Sequence, residues 1–260
     1  MNNSRSFDRA AEFYDNTRAL FDVTVDVGIQ SLLDAAGEGS NILEVGTGTG
    51  RISIPMLERG ADLTGCDLSS KMLARQREKY PAIRLVRSDA VLLPFPSGHF
   101  DALITVHVMH LIGPWREALH EFKRVLKAGG RFLNVSTNAT VGTSARDEMR
   151  DHWRDWLKSQ GVSVEHPGAN SLEEIHAELA SLGANWEEVD VIHFRHTYTL
   201  REELDRFARR ISSQTWSVPD VIFQASMEEL RSWTISEFGD LDQKYEEEGR
   251  FMYDIVRFEG

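Results

Sequence analysis

The chain has 260 residues, 41 acidic against 29 basic side chains and a formal net charge of −12. That length supports a full hydrophobic core, and the acidic balance argues against nucleic acid as a partner. One cysteine, Cys66, excludes an intrachain disulfide, no apolar run reaches the ~20 residues of a membrane span, and Met1-Asn2-Asn3-Ser4-Arg5 lacks the apolar core of a signal peptide.

In chain order, residues 7–35 read as helical, with Phe13, Leu20, Val23, Val27 and Leu32 at mostly helix-like intervals. Next comes Ile42-Leu43-Glu44-Val45-Gly46-Thr47-Gly48-Thr49-Gly50, an apolar run closing in a glycine-rich turn, with an amphipathic segment behind it. The pattern predicts strand, tight loop and helix, with free helical N–H groups aimed above the turn. The dinucleotide fingerprint G-x-G-x-x-G/A fails because its sixth position is Arg51, and the G-K-[ST] ending of a P-loop is missing. Glu44 at the strand end would repel a pyrophosphate and attract a cationic ligand, an amine or a sulfonium. The helix of residues 50–59 is expected to start late or kink at Pro55 and to end at Gly60.

Asp67 closes a second apolar run about 20 residues beyond Gly46, the spacing that sets a carboxylate on the neighbouring strand tip to grip a ribose diol. Asp67-Leu68-Ser69-Ser70 also offers an N-cap to a helix whose Met72 and Leu73 face inward, Met72 being a core residue or a neighbour of the ligand. Two further strand-like runs end in Ser88-Asp89-Ala90 and in His107, so four successive strand ends carry polar groups. Residues 114–127 form an amphipathic helix, and a fifth strand spans Arg131–Ser136.

These pieces resemble the class I S-adenosylmethionine-dependent methyltransferases. The resemblance rests on Glu44-Val45-Gly46-Thr47-Gly48-Thr49-Gly50, Asp67-Leu68-Ser69, Ser88-Asp89-Ala90, Leu93-Pro94-Phe95, Phe100-Asp101 and Leu126-Lys127-Ala128-Gly129-Gly130, in the family's order over roughly residues 41–136. It implies a Rossmann-like, doubly wound α/β sheet of seven strands, mostly parallel with the last antiparallel. It also implies S-adenosyl-L-methionine as cofactor and S-adenosyl-L-homocysteine as product. Glu44, Gly46, Thr47, Gly48, Gly50, Asp67, Leu68, Met72 and His107 would hold the cofactor, and Asp89 and Ala90 would meet its adenine, unless Asp89 merely caps the following turn. Ala11–Arg18 looks like the family's N-terminal lid, in which Tyr14 covers the methionine end and Arg18 meets its carboxylate; a surface helix is the plainer reading.

The domain expectation is a lid over residues 1–36, a core over 37–136, helical cap insertions over 137–185 and 200–250, and closing strands over 186–199 and 251–260. The run Glu246-Glu247-Glu248 reads as a solvated turn. His110 and His107 are candidate general bases or mere walls of the site; His152 and His196 lie in the cap. Trp153, Trp156 and Trp216 with Phe223 either line an apolar substrate pocket or form cap core. No Asn/Asp-Pro-Pro-Tyr/Phe motif follows the fourth strand and there is no cysteine pair, which disfavours amino-group methylation of nucleobases or protein glutamine and also arsenic methylation. No metal is called for. The expectation is a cytoplasmic enzyme, monomer or homodimer, methylating a small organic acceptor through O, N or C. A non-catalytic or repurposed cofactor-binding protein is the alternative, and a nicotinamide oxidoreductase is disfavoured by Arg51 and Glu44.

Overall fold

The computed structural model of the protein describes residues 4, 6–15, 22–139 and 144–259. The chain forms two compact units, the first comprising residues up to 137 with 166–192 and 251–260, the second 138–165 with 193–250.

The first unit opens with turns over residues 8–14, where a helix was expected, and helix α1 occupies Asp22–Ala36. Strand β1 (Asn41–Val45), helix α2 (Ser53–Glu58), strand β2 (Asp62–Asp67), helix α3 (Ser70–Lys79), strand β3 (Arg84–Arg87) and strand β4 (Phe100–Val106) follow in βαβ order. Helix α4 (Trp115–Val125) leads into strand β5 (Leu126–Ala139). Helix α2 does begin late: Ser53 is its first residue, so Pro55 falls in the first turn, where no N–H is needed, and Gly60 terminates it at φ +87°. Ser69 caps α3, its hydroxyl accepting from the Met72 amide at 3.1 Å.

Strand β5 is longer than the expected Arg131–Ser136 because the chain is already extended from Leu126, at the end of the expected helix. The register on β4 jumps from the Phe100–Leu126 pair to the Ala102–Arg131 pair, and Gly129 absorbs the irregularity at φ +76°. With strands β6 (Ala184–Thr199) and β7 (Lys244–Phe258) the sheet has seven strands in the order β3-β2-β1-β4-β5-β7-β6, mostly parallel and mixed. The pairs β2–β3, β1–β2, β1–β4 and β4–β5 are parallel.

Period-two alternation along the central strands divides the core. Leu43 and Val45 of β1, Leu103 of β4 and Phe132 of β5 face one apolar cluster, shared with Trp115, Leu119 and Phe122 of α4. Ile42, Ala102, Ile104, Leu133 and Val135 face the other, with Ile29 and Leu32 of α1 and Met56 of α2. Helix α6 (Leu172–Ser181) belongs to the first unit as well, against the expectation that residues 137–185 are all insertion. Its Ile175 and Leu179 bury in the α4-side cluster, so the helix is a layer of the α/β core.

The second unit holds helices α5 (Ala145–Ser159), α7 (Leu200–Ala208) and α8 (Asp220–Phe238). Met149, Trp153, Leu157, Leu204, Phe207, Phe223 and Leu230 form its core. Ser144 and Thr199 start α5 and α7 with capping boxes. Among the described residues no helix is long and apolar enough to cross a membrane, and no group of three or more His, Cys, Asp or Glu is arranged to hold a metal.

Candidate active site

Strand order reverses at β1, whose neighbours are β2 on one side and β4 on the other, and the crevice of a doubly wound sheet opens at such a point beyond the carboxyl ends of the strands. A partly open cavity lies there. Glu44, Gly46 and Thr47 from the end of β1, Val106 and His107 from the end of β4, Thr49, Arg51 and Ile52 from the loop, Tyr14 and Phe251 line it.

The glycine loop is tied to β2 by the Gly46 and Thr47 amides, which donate to the Cys66 carbonyl at 2.8 and 3.0 Å. Its three glycines have positive φ but serve different ends. A side chain at Gly46 would strike Val108, and one at Gly50 would strike Ile54 and Gln76, so both are required by internal packing. A Cβ on Gly48 would meet nothing nearer than the Gly46 carbonyl at 3.9 Å. The space over Gly48 is open, as a cradle for a ligand must be.

Glu44 is buried, 2% exposed, and accepts from the Thr47 hydroxyl at 2.7 Å. Burial pushes its carboxyl up to about 7, against the hydroxyls of Thr47 and Ser53, which hold it down; the nearby charge of Asp67 pushes the same way as burial. Asp67 accepts from the Gly48 amide at 2.9 Å and the Ser69 amide at 2.8 Å. Burial raises its carboxyl while those two amides oppose the shift. Asp67 therefore fastens the glycine loop to the start of α3 besides standing at the β2 tip. Cys66 is buried between them as a small apolar residue, its thiol driven up by burial.

The remaining expected residues divide by position. Tyr14 and His107 line the cavity, and His107 takes a left-handed backbone at φ +51°. Met72 is core. Leu68 and Ala90 are half-buried at the ends of β2 and β3. Asp89 accepts from the Val91 amide at 3.2 Å, which is the turn-capping role weighed for it. His110 lies on a short 3₁₀ turn, its ring edge-on to that of His166 at 4.5 Å, and is not among the cavity residues. Arg18 lies outside the described residues.

In the second unit His152 stacks on Trp233 at 4.1 Å, and His196 pairs with Glu247 at 2.8 Å. Trp153 is buried in that unit's core with its indole N–H on Ser226, and Phe223 is buried there too. Trp156 packs against the same core, and the Trp216 indole donates to the Arg210 carbonyl. Glu246–Glu248, read as a turn, lies inside β7, and Glu247 is buried against the Arg146 guanidinium at 3.0 Å, with His196 at 2.8 Å.

Sequence reasoning missed the polar groups that pin the N-terminal segment. Asp8 accepts from the Ser69 hydroxyl at 2.6 Å and the Lys71 amide at 3.1 Å, and that hydroxyl holds its carboxyl below the ordinary range. Asp15 accepts from the Thr49 hydroxyl at 2.5 Å and pairs with Lys79 at 2.6 Å. Sequence spacing carries no signal for these contacts, which join residues 34 to 64 apart by number.

Residues 43–134 match a family model described as a methyltransferase domain. The chain is 33% identical over 130 residues to a demethylmenaquinone methyltransferase of Beutenbergia cavernae, covering 49% of this chain and 54% of that protein. It is 29% identical over 149 residues to a malonyl-[acyl-carrier protein] O-methyltransferase of Enterobacter lignolyticus, covering 57% of each. The match thus spans about half the length of these curated relatives. Among solved structures, the YcgJ protein of Bacillus subtilis aligns over 90% of this chain and 99% of that one, with a TM-score of 0.58 at 20% identity. Phosphoethanolamine N-methyltransferase 2 of Haemonchus contortus, solved with phosphomonomethylethanolamine and S-adenosylhomocysteine, aligns over 97% of this chain and 58% of that one, with a TM-score of 0.53 at 17% identity. Both likenesses are of fold.

Proposed function

We propose that the chain, whose residues 43–134 match a methyltransferase domain, is a class I S-adenosylmethionine-dependent methyltransferase that transfers a methyl group from S-adenosyl-L-methionine to a small organic acceptor. The observation that carries this reading is the cavity at the strand-order reversal, with a buried carboxylate, Glu44, on its wall and an open cradle over Gly48. The residues fit the cofactor. Asp67 would take the ribose diol, Glu44 would face the cationic methionine end, and Tyr14 would close over it. Leu68, Asp89 and Ala90, at the β2 and β3 ends, would frame the adenine.

When bound, the cofactor supplies a methyl group already activated on a sulfonium. The chain's own task is to orient the acceptor in line, keep water out and, for an acidic acceptor, receive a proton. His107, on the cavity wall at the end of β4, is the side chain we assign to that proton. The two curated relatives are named for methylation of demethylmenaquinone and of malonyl-[acyl-carrier protein], which supports an organic acceptor.

Calorimetric titration with S-adenosylmethionine, S-adenosylhomocysteine and NADH tests the reading. Binding of the first two without NADH supports it, and NADH binding alone overturns it. Binding without turnover across a panel of phenols, amines and carboxylic acids would favour the non-catalytic alternative. Asp67→Ala should weaken S-adenosylmethionine binding by about 1–3 kcal/mol, the worth of charged hydrogen bonds to a ribose. Unchanged affinity in a folded variant would remove Asp67 from the site.

A further inference from the structure

A polar cluster lies behind the cavity wall, and no step of methyl transfer uses it. Gln76 of α3 is fully buried, and its Nε2 donates to the Thr47 hydroxyl at 3.0 Å and to the Ser53 hydroxyl at 2.5 Å. Those two hydroxyls are 2.9 Å apart, and Thr47 in turn donates to Glu44. An amide nitrogen can only donate. Both hydroxyls therefore have an acceptor lone pair filled from Gln76, which leaves the Thr47 proton for Glu44 and the Ser53 proton for Thr47 or Glu44, and both hydroxyls favour the ionised form of Glu44.

Turning the amide over would reverse the chain of donors. The hydroxyl protons would go to the Gln76 oxygen, and Glu44 would face oxygen lone pairs. It would also strand two N–H donors. As built, only the Gln76 Oε1 lacks a partner, and a stranded carbonyl is the cheaper defect. We propose that Gln76 is a positioning residue of the cofactor site: its amide turns the Thr47 and Ser53 hydroxyls toward Glu44, so that Glu44 meets a cationic ligand as a carboxylate.

The inference rests on the S-adenosylmethionine reading above. Asp67 and Cys66 on β2 also act on Glu44, and Arg51 in its own loop, His107 at the end of β4 and Tyr14 of the N-terminal segment line the same cavity. The arrangement couples two βα units, since the glycine loop follows β1 and Gln76 follows β2.

The test is calorimetric titration of the full chain with S-adenosylmethionine from pH 5.5 to 8.5, beside an infrared titration of the protonated-carboxyl band assigned by its loss in Glu44→Gln. Wild-type affinity should fall as pH drops below about 7, where Glu44 takes up its proton, by up to about tenfold per pH unit. Gln76→Met should keep the affinity seen at pH 8.5 to within about threefold while moving the fall-off and the infrared midpoint up by about one pH unit. Gln76→Leu repeats the test if Gln76→Met does not fold, and Ser53→Ala, which removes a hydroxyl that itself acts on Glu44, should shift both in the same direction. An unshifted infrared midpoint in the folded Gln76 variant overturns the role of Gln76, whether or not cofactor binds. A wild type that binds no S-adenosylmethionine at any pH overturns the cofactor reading instead.

Discussion

Arg146→Met is expected to destabilise the protein by about 3–5 kcal/mol, the cost of stranding buried charge. The Arg146 guanidinium pairs with Glu247 at 3.0 Å and with Glu203 at 3.4 Å, stacks over Tyr198 at 4.1 Å and meets His196 at 3.3 Å. The side chain of Glu247 is only 1% exposed, and that of Glu203 5%. Glu203 keeps Arg150 at 3.8 Å and Arg206 at 3.6 Å when Arg146 is lost, but Glu247 keeps only His196 among the pairs described. The penalty should therefore fall on Glu247. The double variant Arg146→Met with Glu247→Gln removes both the cation and the stranded anion and should recover at least half of the loss. Urea unfolding at pH 7.5 checks this. A loss under about 1 kcal/mol for Arg146→Met, the value of an exposed pair, would mean that water reaches the cluster.

Glu247 also shows where the sequence was opaque. Three consecutive glutamates read as a solvated turn because burying a charge is unfavourable by default. The cation that reverses that default comes from α5, about 100 positions earlier in the chain, and no local pattern announces it. The α/β core was legible for the opposite reason. Alternation along β1, β4 and β5 and helical spacing along α4 are local, and each residue's face follows from its neighbours. Helix α6 fell between these cases: its Ile175 and Leu179 give a short amphipathic signal that does not say which sheet or bundle they will cover. At the site, the strand-end residues Glu44, Gly46, Asp67 and His107 were readable from motif and order. The residues that hold them, Gln76, Ser53, Asp8 and Asp15, were not, since their contacts depend on how separate βα units come together.

Glu44→Gln is expected to move stability and binding in opposite directions. In the folded, ligand-free protein burial lifts the Glu44 carboxyl from 4.5 to about 7, so the folded state holds the proton more tightly than the unfolded chain does. The stability this provides is present below pH 4.5 and is lost as pH rises toward 7. Two and a half units correspond to roughly 3 kcal/mol. Glutamine has no proton to lose. The stability difference between wild type and variant should therefore shift in the variant's favour by up to that amount between pH 4.5 and 8, a range in which Cys66, its thiol driven up by burial, stays protonated in both proteins. Binding of S-adenosylmethionine at pH 8 should weaken by about 10- to 100-fold, as for a lost charge-assisted contact, and its dependence on pH near 7 should vanish. Parallel urea denaturation of the two proteins at pH 5 and 8, with calorimetry at pH 8, measures both quantities. Identical pH dependence of stability would mean that Glu44 is solvated and ionised throughout. A stabilised variant with undiminished affinity would mean that the cationic end of the ligand lies elsewhere. The expected pairing, a variant relatively more stable at high pH that binds less well, is what a buried carboxylate kept for a cationic ligand has to produce.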